Sequence, residues 1–206
     1  VEQNFHHLES LATPLKLAKL QALGFQLDVD RLYTMAGDRV PQEEQMAELI
    51  LEDARNANHE LLVPYRSGNP RSDMPLINFF WDFFGRDKPC HVKVELPPMA
   101  EMVSMIIDNG GIPVIAHIGA NVKEKPLSVI EQMLPLGVQG VEVFSSYHDE
   151  ALCRELYQFT LDKTLLATSG SDFHGKNKPN IKMGSSQPWA AALPKTLEVL
   201  EKVTLY

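Results

Sequence analysis

From residue 98 onward short apolar runs alternate with segments of helical length, and few folds accept such a chain. A helix over 99–109, Gly110-Gly111, a strand over 112–116 and a helix over 126–134 follow in order. A strand over 140–144, a helix over 149–162, a strand over 165–168 and a last helix over 193–203 complete the series. Short apolar strands joined by helical connections belong to a parallel sheet buried on both faces. Three strands are too few for a closed barrel or a comfortable open sheet, so this half reads as part of a larger α/β structure.

Residues 1–97 read differently, as a mainly helical and irregular region. Thr13-Pro14 has the form of an N-cap followed by Pro at the first helical position, with Leu15, Leu17, Ala18, Leu20 and Ala22 on the apolar side and Gly24 closing the helix. Asp28 caps a short helix through Leu32 and Met35 that ends at Gly37, and Pro41 starts another with Met46, Leu49, Ile50 and Ala54 at spacings of three and four. A loop over 64–75 leads into the aromatic segment Leu76-Ile-Asn-Phe-Phe-Trp-Asp-Phe-Phe84, which reads as a buried helix face.

Two strand ends carry metal-ligand chemistry. Leu165-Leu-Ala-Thr168 runs into Ser169-Gly-Ser-Asp172-Phe-His174-Gly175, and Ile112-Pro-Val-Ile-Ala-His117 runs into Ile118-Gly119. Carboxylate and imidazole suit Zn, Mn, Fe or Mg, and α/β proteins place their chemistry at the C-terminal ends of parallel strands. His117, Asp172 and His174 are therefore the candidate metal ligands, expected to converge on one rim. The strand between them ends in Ser145-Ser146-Tyr147-His148, where His148 is the candidate to grip a phosphate or protonate a leaving group. The competing reading there is a helix N-cap formed by Ser146 or Asp149. Glu142 lies within that strand and reads as a supporting partner rather than a ligand. Lys176, Lys178 and Lys182 follow the Asp-Phe-His motif, either as a solvated loop or as charges that attract an anionic substrate, and Arg71 could reach a phosphate bidentately. His6, His7, His59 and His91 have no ligand-like companions.

Composition narrows the partners. A net charge of -8 disfavours stable duplex nucleic-acid binding, which needs a basic face, but not a small phosphorylated substrate held by metal. Cys90 and Cys153 make neither a disulfide framework nor a CxxC pair, so a reducing, cytoplasmic setting is expected. No run approaches the ~18–20 apolar residues of a membrane span. There is no G-x-S-x-G elbow, glycine-rich dinucleotide fingerprint or P-loop.

Ile112-Pro-Val-Ile-Ala-His117, Gly140-Val-Glu-Val-Phe-Ser-Ser-Tyr-His148 and Thr168-Ser-Gly-Ser-Asp172-Phe-His174-Gly175 together resemble the later motifs of the PHP (polymerase and histidinol phosphatase) family, in particular its stand-alone metal-dependent phosphoesterases. The resemblance covers about the last hundred residues, and more weakly the Arg71-Ser-Asp73 to Trp81-Asp82 segment. It implies a distorted (β/α)7 barrel with two or three divalent ions at the strand ends and hydrolysis of phosphate esters of nucleotides, short oligonucleotides or small metabolites. By the match His117, Asp172 and His174 hold metal, and His148 contacts substrate. The family's opening His-x-His, Asp-His and Gly-x-Glu motifs are absent here, Ile118 stands where its Pro is usual, and its Arg-Pro-His is not visible near Val40-Pro41-Gln42.

The expectation is then the C-terminal part of a PHP barrel over 98–206, preceded by a helical insertion over 1–97. The intact protein is expected to be a metal-dependent phosphoesterase, with His148, Arg71 and Lys176 against the phosphate. The alternatives are a non-catalytic PHP-derived module and an amidohydrolase-type C–N hydrolase; the latter lacks an identifiable metal-bridging Lys or further His residues.

Overall fold

Local capping chemistry accounts for the first helices. The Asp28 carboxylate accepts the N–H of Arg31 at 2.9 Å and starts α2 (Val29–Ala36), which stops at Gly37 with φ 62°. The structure, a computed structural model of the chain, describes residues 2–184; the helix expected over 193–203 lies outside the described residues. The chain divides into a first unit of Val1–Leu96 with Gly175–Asn180 and a second that holds Pro97–His174.

In the first unit, α1 (Glu2–Ala22) begins well before Thr13. Pro14 lies inside this helix, and Thr13 is no N-cap: its hydroxyl donates back to the Glu9 carbonyl at 2.9 Å, as helix-interior threonines do. α3 (Glu43–Glu52) starts two residues after Pro41, where Gln42 and Gln45 form a reciprocal capping box, and Asp53 ends it before Ala54. α4 (Pro75–Phe79) runs directly into a π-helical turn, Phe80–Phe84, closed by Gly85 N–H on the Phe80 carbonyl at 3.1 Å. This widened turn brings Phe79, Phe83 and Phe84 into the core with Phe25, Leu20, Leu32 and Met46. Phe79 and Phe83 lie 4.3 Å apart between ring centroids, and Trp81 stays outside.

The second unit contains a parallel sheet in the order β1 (Val114–Ile115), β2 (Gly140–Ser145), β3 (Leu166–Gly170). β1 is shorter than the expected strand because Pro113 has no N–H for the ladder and only accepts, from Gln139 and Gly140. The connections are α7 (Pro126–Met133, after α5 at Met99–Asp108 and a short α6 at Ile118–Asn121) and α8 (Glu150–Lys163). Asp149, not Ser146, caps α8, accepting from Leu152 N–H at 2.9 Å. Val141, Val143 and Phe144 pack with Ile130, Cys153, Leu156 and Phe159 in the core of this unit.

The ladder between β2 and β3 is irregular. Glu142 pairs with Thr168 and Phe144 with Ser169, so Val143 is one residue too many. A bulged carbonyl in an interior needs another donor, and the Val143 carbonyl has two, His148 Nδ1 at 2.8 Å and Cys153 Sγ at 3.4 Å. Among the described residues no helix is long and apolar enough to cross a membrane.

Candidate active site

The C-terminal ends of β1, β2 and β3 carry His117, Tyr147, Asp172 and His174. His117 leaves β1 with φ 27° and ψ 55°, a conformation that β-carbon sterics disfavour, and its N–H donates to Glu142 Oε2 at 2.6 Å. Asp172 also has positive φ, 55°. Strained backbone of this kind concentrates at functional sites.

Tyr147 links the two outer strand ends. Its hydroxyl donates to Asp172 Oδ2 at 2.9 Å, and its ring lies 5.7 Å from the His117 ring. His174 Nδ1 lies 2.9 Å from the Asp172 carbonyl and 3.5 Å from Asp172 Oδ1. A proton on Nδ1 facing that carbonyl leaves Nε2 with its lone pair, the arrangement usual for a metal-ligating imidazole. His117 Nδ1 is buried and has no hydrogen-bond partner. In donor type and in this orphaned nitrogen the rim fits a divalent cation. In number it does not complete a site: among the described residues no three His, Cys, Asp or Glu side chains gather as a metal-binding group. The three-ligand convergence expected from the sequence is thus not seen as such, because Asp172 is turned toward Tyr147 and His174 toward the Asp172 backbone.

His148 turns to the backbone. It is 2% exposed, with Nδ1 on the bulged Val143 carbonyl and Nε2 accepting Gly119 N–H at 3.0 Å. Both ring nitrogens serve the backbone, so the imidazole ties the turn after β1 to the end of β2 instead of facing a substrate. Gly119 makes room for the ring: a β-carbon there would stand 2.6 Å from His148 Cδ2.

Arg71 and Lys176 belong to the first unit, each against a carboxylate of its own. The Arg71 guanidinium grips Asp82 through Nε, at 2.9 Å from Oδ2, and through Nη2 on Oδ1; Tyr65 donates to the same Oδ2 at 2.7 Å. Lys176 Nζ reaches both oxygens of Glu48, at 2.6 and 2.5 Å. A phosphate at either cation would have to displace these pairs. Asp82 hydrogen bonding holds the Arg71 guanidinium above its ordinary value; burial, then Asp82, pushes the Tyr65 phenol up. Tyr147 is the rim residue that sequence reasoning misses, because its partner Asp172 lies 25 residues away.

Comparison with known proteins adds to this geometry. No family model matches the chain. Over 166 residues it is 26% identical to a phosphoribosyl 1,2-cyclic phosphate 1,2-diphosphodiesterase of Eggerthella lenta, a match covering 78% of this chain and 55% of that protein. A candidate metal-dependent phosphoesterase from Bifidobacterium adolescentis superposes with a TM-score of 0.67 at 18% identity, covering 96% of this chain and 64% of the other. An amidohydrolase from Chromobacterium violaceum, solved with sulfate and no metal, gives a TM-score of 0.67 at 20% identity and covers 96% and 63%. The chain shares their fold. It spans about half the length of the curated relative it matches.

Proposed function

We propose that this chain forms part of a metal-dependent phosphoesterase of the PHP type, with the three strands belonging to a distorted (β/α)7 barrel. The observation that carries the reading is the rim of His117, Tyr147, Asp172 and His174 at the ends of parallel strands, with one imidazole nitrogen orphaned and another freed by its own backbone bond. The similarity to a cyclic phosphate diphosphodiesterase supports a phosphorylated small molecule as substrate, and makes a 1,2-cyclic phosphate on a phosphorylated sugar the first compound to assay.

His117 Nδ1, an Asp172 carboxylate oxygen and His174 Nε2 are the donors this chain would contribute. Divalent cations, when bound, supply charge neutralisation on phosphoryl oxygens and a water of lowered pKa. Tyr147 holds the Asp172 carboxylate through Oδ2, and His174 Nδ1 lies 3.5 Å from Oδ1. The His174 Nδ1 bond to the Asp172 carbonyl holds the ring orientation. His148 keeps the β1 turn in place from beneath.

Metal content tests the reading. After loading with Mn or Zn and desalting, the wild-type chain retains metal, and His174→Ala or Asp172→Asn retains at least about tenfold less. Equal retention by all three would remove the rim from the site.

A further inference from the structure

The half-buried carboxylate of Glu142 touches both outer strand ends from the middle strand. Oε2 accepts the His117 N–H at 2.6 Å. Oε1 occupies the space beside Gly170: a β-carbon at that residue would stand 2.0 Å from it. The φ of Gly170 is not in the left-handed region, so its backbone is open to any residue; the space taken by Glu142 is what excludes a side chain. Glycine at 170 and glutamate at 142 are therefore two halves of one fit.

Both contacts fall where the candidate ligands leave their strands. His117 is itself the residue held, in a disfavoured conformation that needs an external hold. Asp172 and His174 follow Gly170 by two and four residues, Asp172 again at positive φ. A carboxylate inside a parallel sheet costs desolvation, and here it is offset by a charge-assisted bond to a backbone N–H. An apolar residue at 142 would continue the Val141–Val143 run without that cost.

We infer that Glu142 is the positioning residue of the rim, a clamp that sets the separation of His117 from Asp172 and His174 by bonding the His117 N–H at the end of β1 while packing against Gly170 of β3. It acts through His117 and Gly170. This rests on the phosphoesterase reading only for what the rim binds; the clamp itself stands on the geometry above.

The test compares Glu142→Gln, Glu142→Ala and Gly170→Ala in the full chain. It reads Mn2+ affinity by calorimetry and hydrogen exchange of the His117 amide. Glu142→Ala should weaken Mn2+ binding about 10- to 100-fold and speed His117 exchange at least about tenfold, whereas Gln, which can still accept the N–H, stays within about threefold on both. Gly170→Ala leaves the carboxylate in the sequence but takes its space, and should reproduce the Ala losses. Wild-type Mn2+ affinity in Glu142→Ala and Gly170→Ala would overturn the clamp, as would a Gln variant as impaired as Ala. If the wild type binds no Mn2+, the phosphoesterase reading fails separately, and His117 exchange alone decides: faster exchange in Glu142→Ala supports the clamp, unchanged exchange overturns it.

Discussion

The backbone N–H of Gly119 donates to His148 Nε2 at 3.0 Å, tying the turn after β1 to the end of β2 through a fully buried imidazole. Because Nδ1 faces the Val143 carbonyl, the ring carries its proton there and is neutral in this role. His148→Ala leaves the buried Gly119 N–H without a partner and the Val143 carbonyl with Cys153 Sγ alone, and should cost about 1–3 kcal/mol in urea unfolding, the penalty for one unsatisfied buried group. A substrate-binding His148 would instead raise KM and leave unfolding unchanged.

Gly119 is the other side of that contact. Gly119→Ala places a methyl 2.6 Å from His148 Cδ2 and 2.9 Å from Leu152 Cδ2. The overpacking should destabilise the fold by about 1–3 kcal/mol, seen as a lower urea midpoint with unchanged slope.

These contacts also show why parts of the molecule were legible and others not. Asp28 and Gly37 act within four residues of the helix they bound, so α2 could be read from the chain alone. Asp172 and His174 stood out as donor types directly after an apolar strand. The role of Thr13-Pro14 turned on whether residues 2–12 are helical, which a cap-like dipeptide does not reveal. The π turn over Phe80–Phe84 depends on aromatic packing with Phe25 and Tyr65. The function of His148 and the hold on His117 come from residues 29 and 25 positions away, and no local pattern encodes either.

Tyr147→Phe keeps a ring beside His117 and removes the 2.9 Å bond to Asp172. Since Tyr147 is partly exposed, stability should change by about 1 kcal/mol or less. Metal affinity should fall about 10-fold as the carboxylate loses its orienting partner. Calorimetric titration with Mn2+ beside a thermal melt separates the two effects.

Lys16 is buried between Glu9 Oε2 at 2.6 Å and Glu43 Oε1 at 2.5 Å. Burial by itself lowers the Lys16 ammonium, but the Glu43 and Glu9 carboxylates outweigh it and the net shift is upward from 10.5. A folded value above the unfolded one gives a contribution fully present below 10.5 that is lost as pH rises through the folded value. Lys16→Ala should therefore cost about 3 kcal/mol at pH 7, by leaving two carboxylates facing each other, and less above pH 11 (about half a unit past the ordinary lysine value). Urea midpoints at both pH values check this.

Cys90 and Cys153 are both buried and unpaired with each other. Burial pushes the Cys90 thiol up to about 11 and raises Cys153 as well. At pH 8 neither should react measurably with a disulfide reagent in the folded chain, and both should react once urea unfolds it. A rapidly titrating thiol in native buffer would contradict the burial.

Hydrolysis by the intact metal-loaded protein, of which this chain supplies one part of the site, decides whether the rim serves a phosphoesterase. With Mn2+ present, phosphoribosyl 1,2-cyclic phosphate and simple phosphomonoesters are assayed for ring opening and phosphate release, alongside Asp172→Asn and chelator-treated protein. Turnover of at least one ester is expected, lost on chelation, restored by Mn2+, and reduced about 100-fold by Asp172→Asn. No turnover of any ester, or an Asp172→Asn rate equal to wild type, would contradict it and leave a non-catalytic module with the same fold.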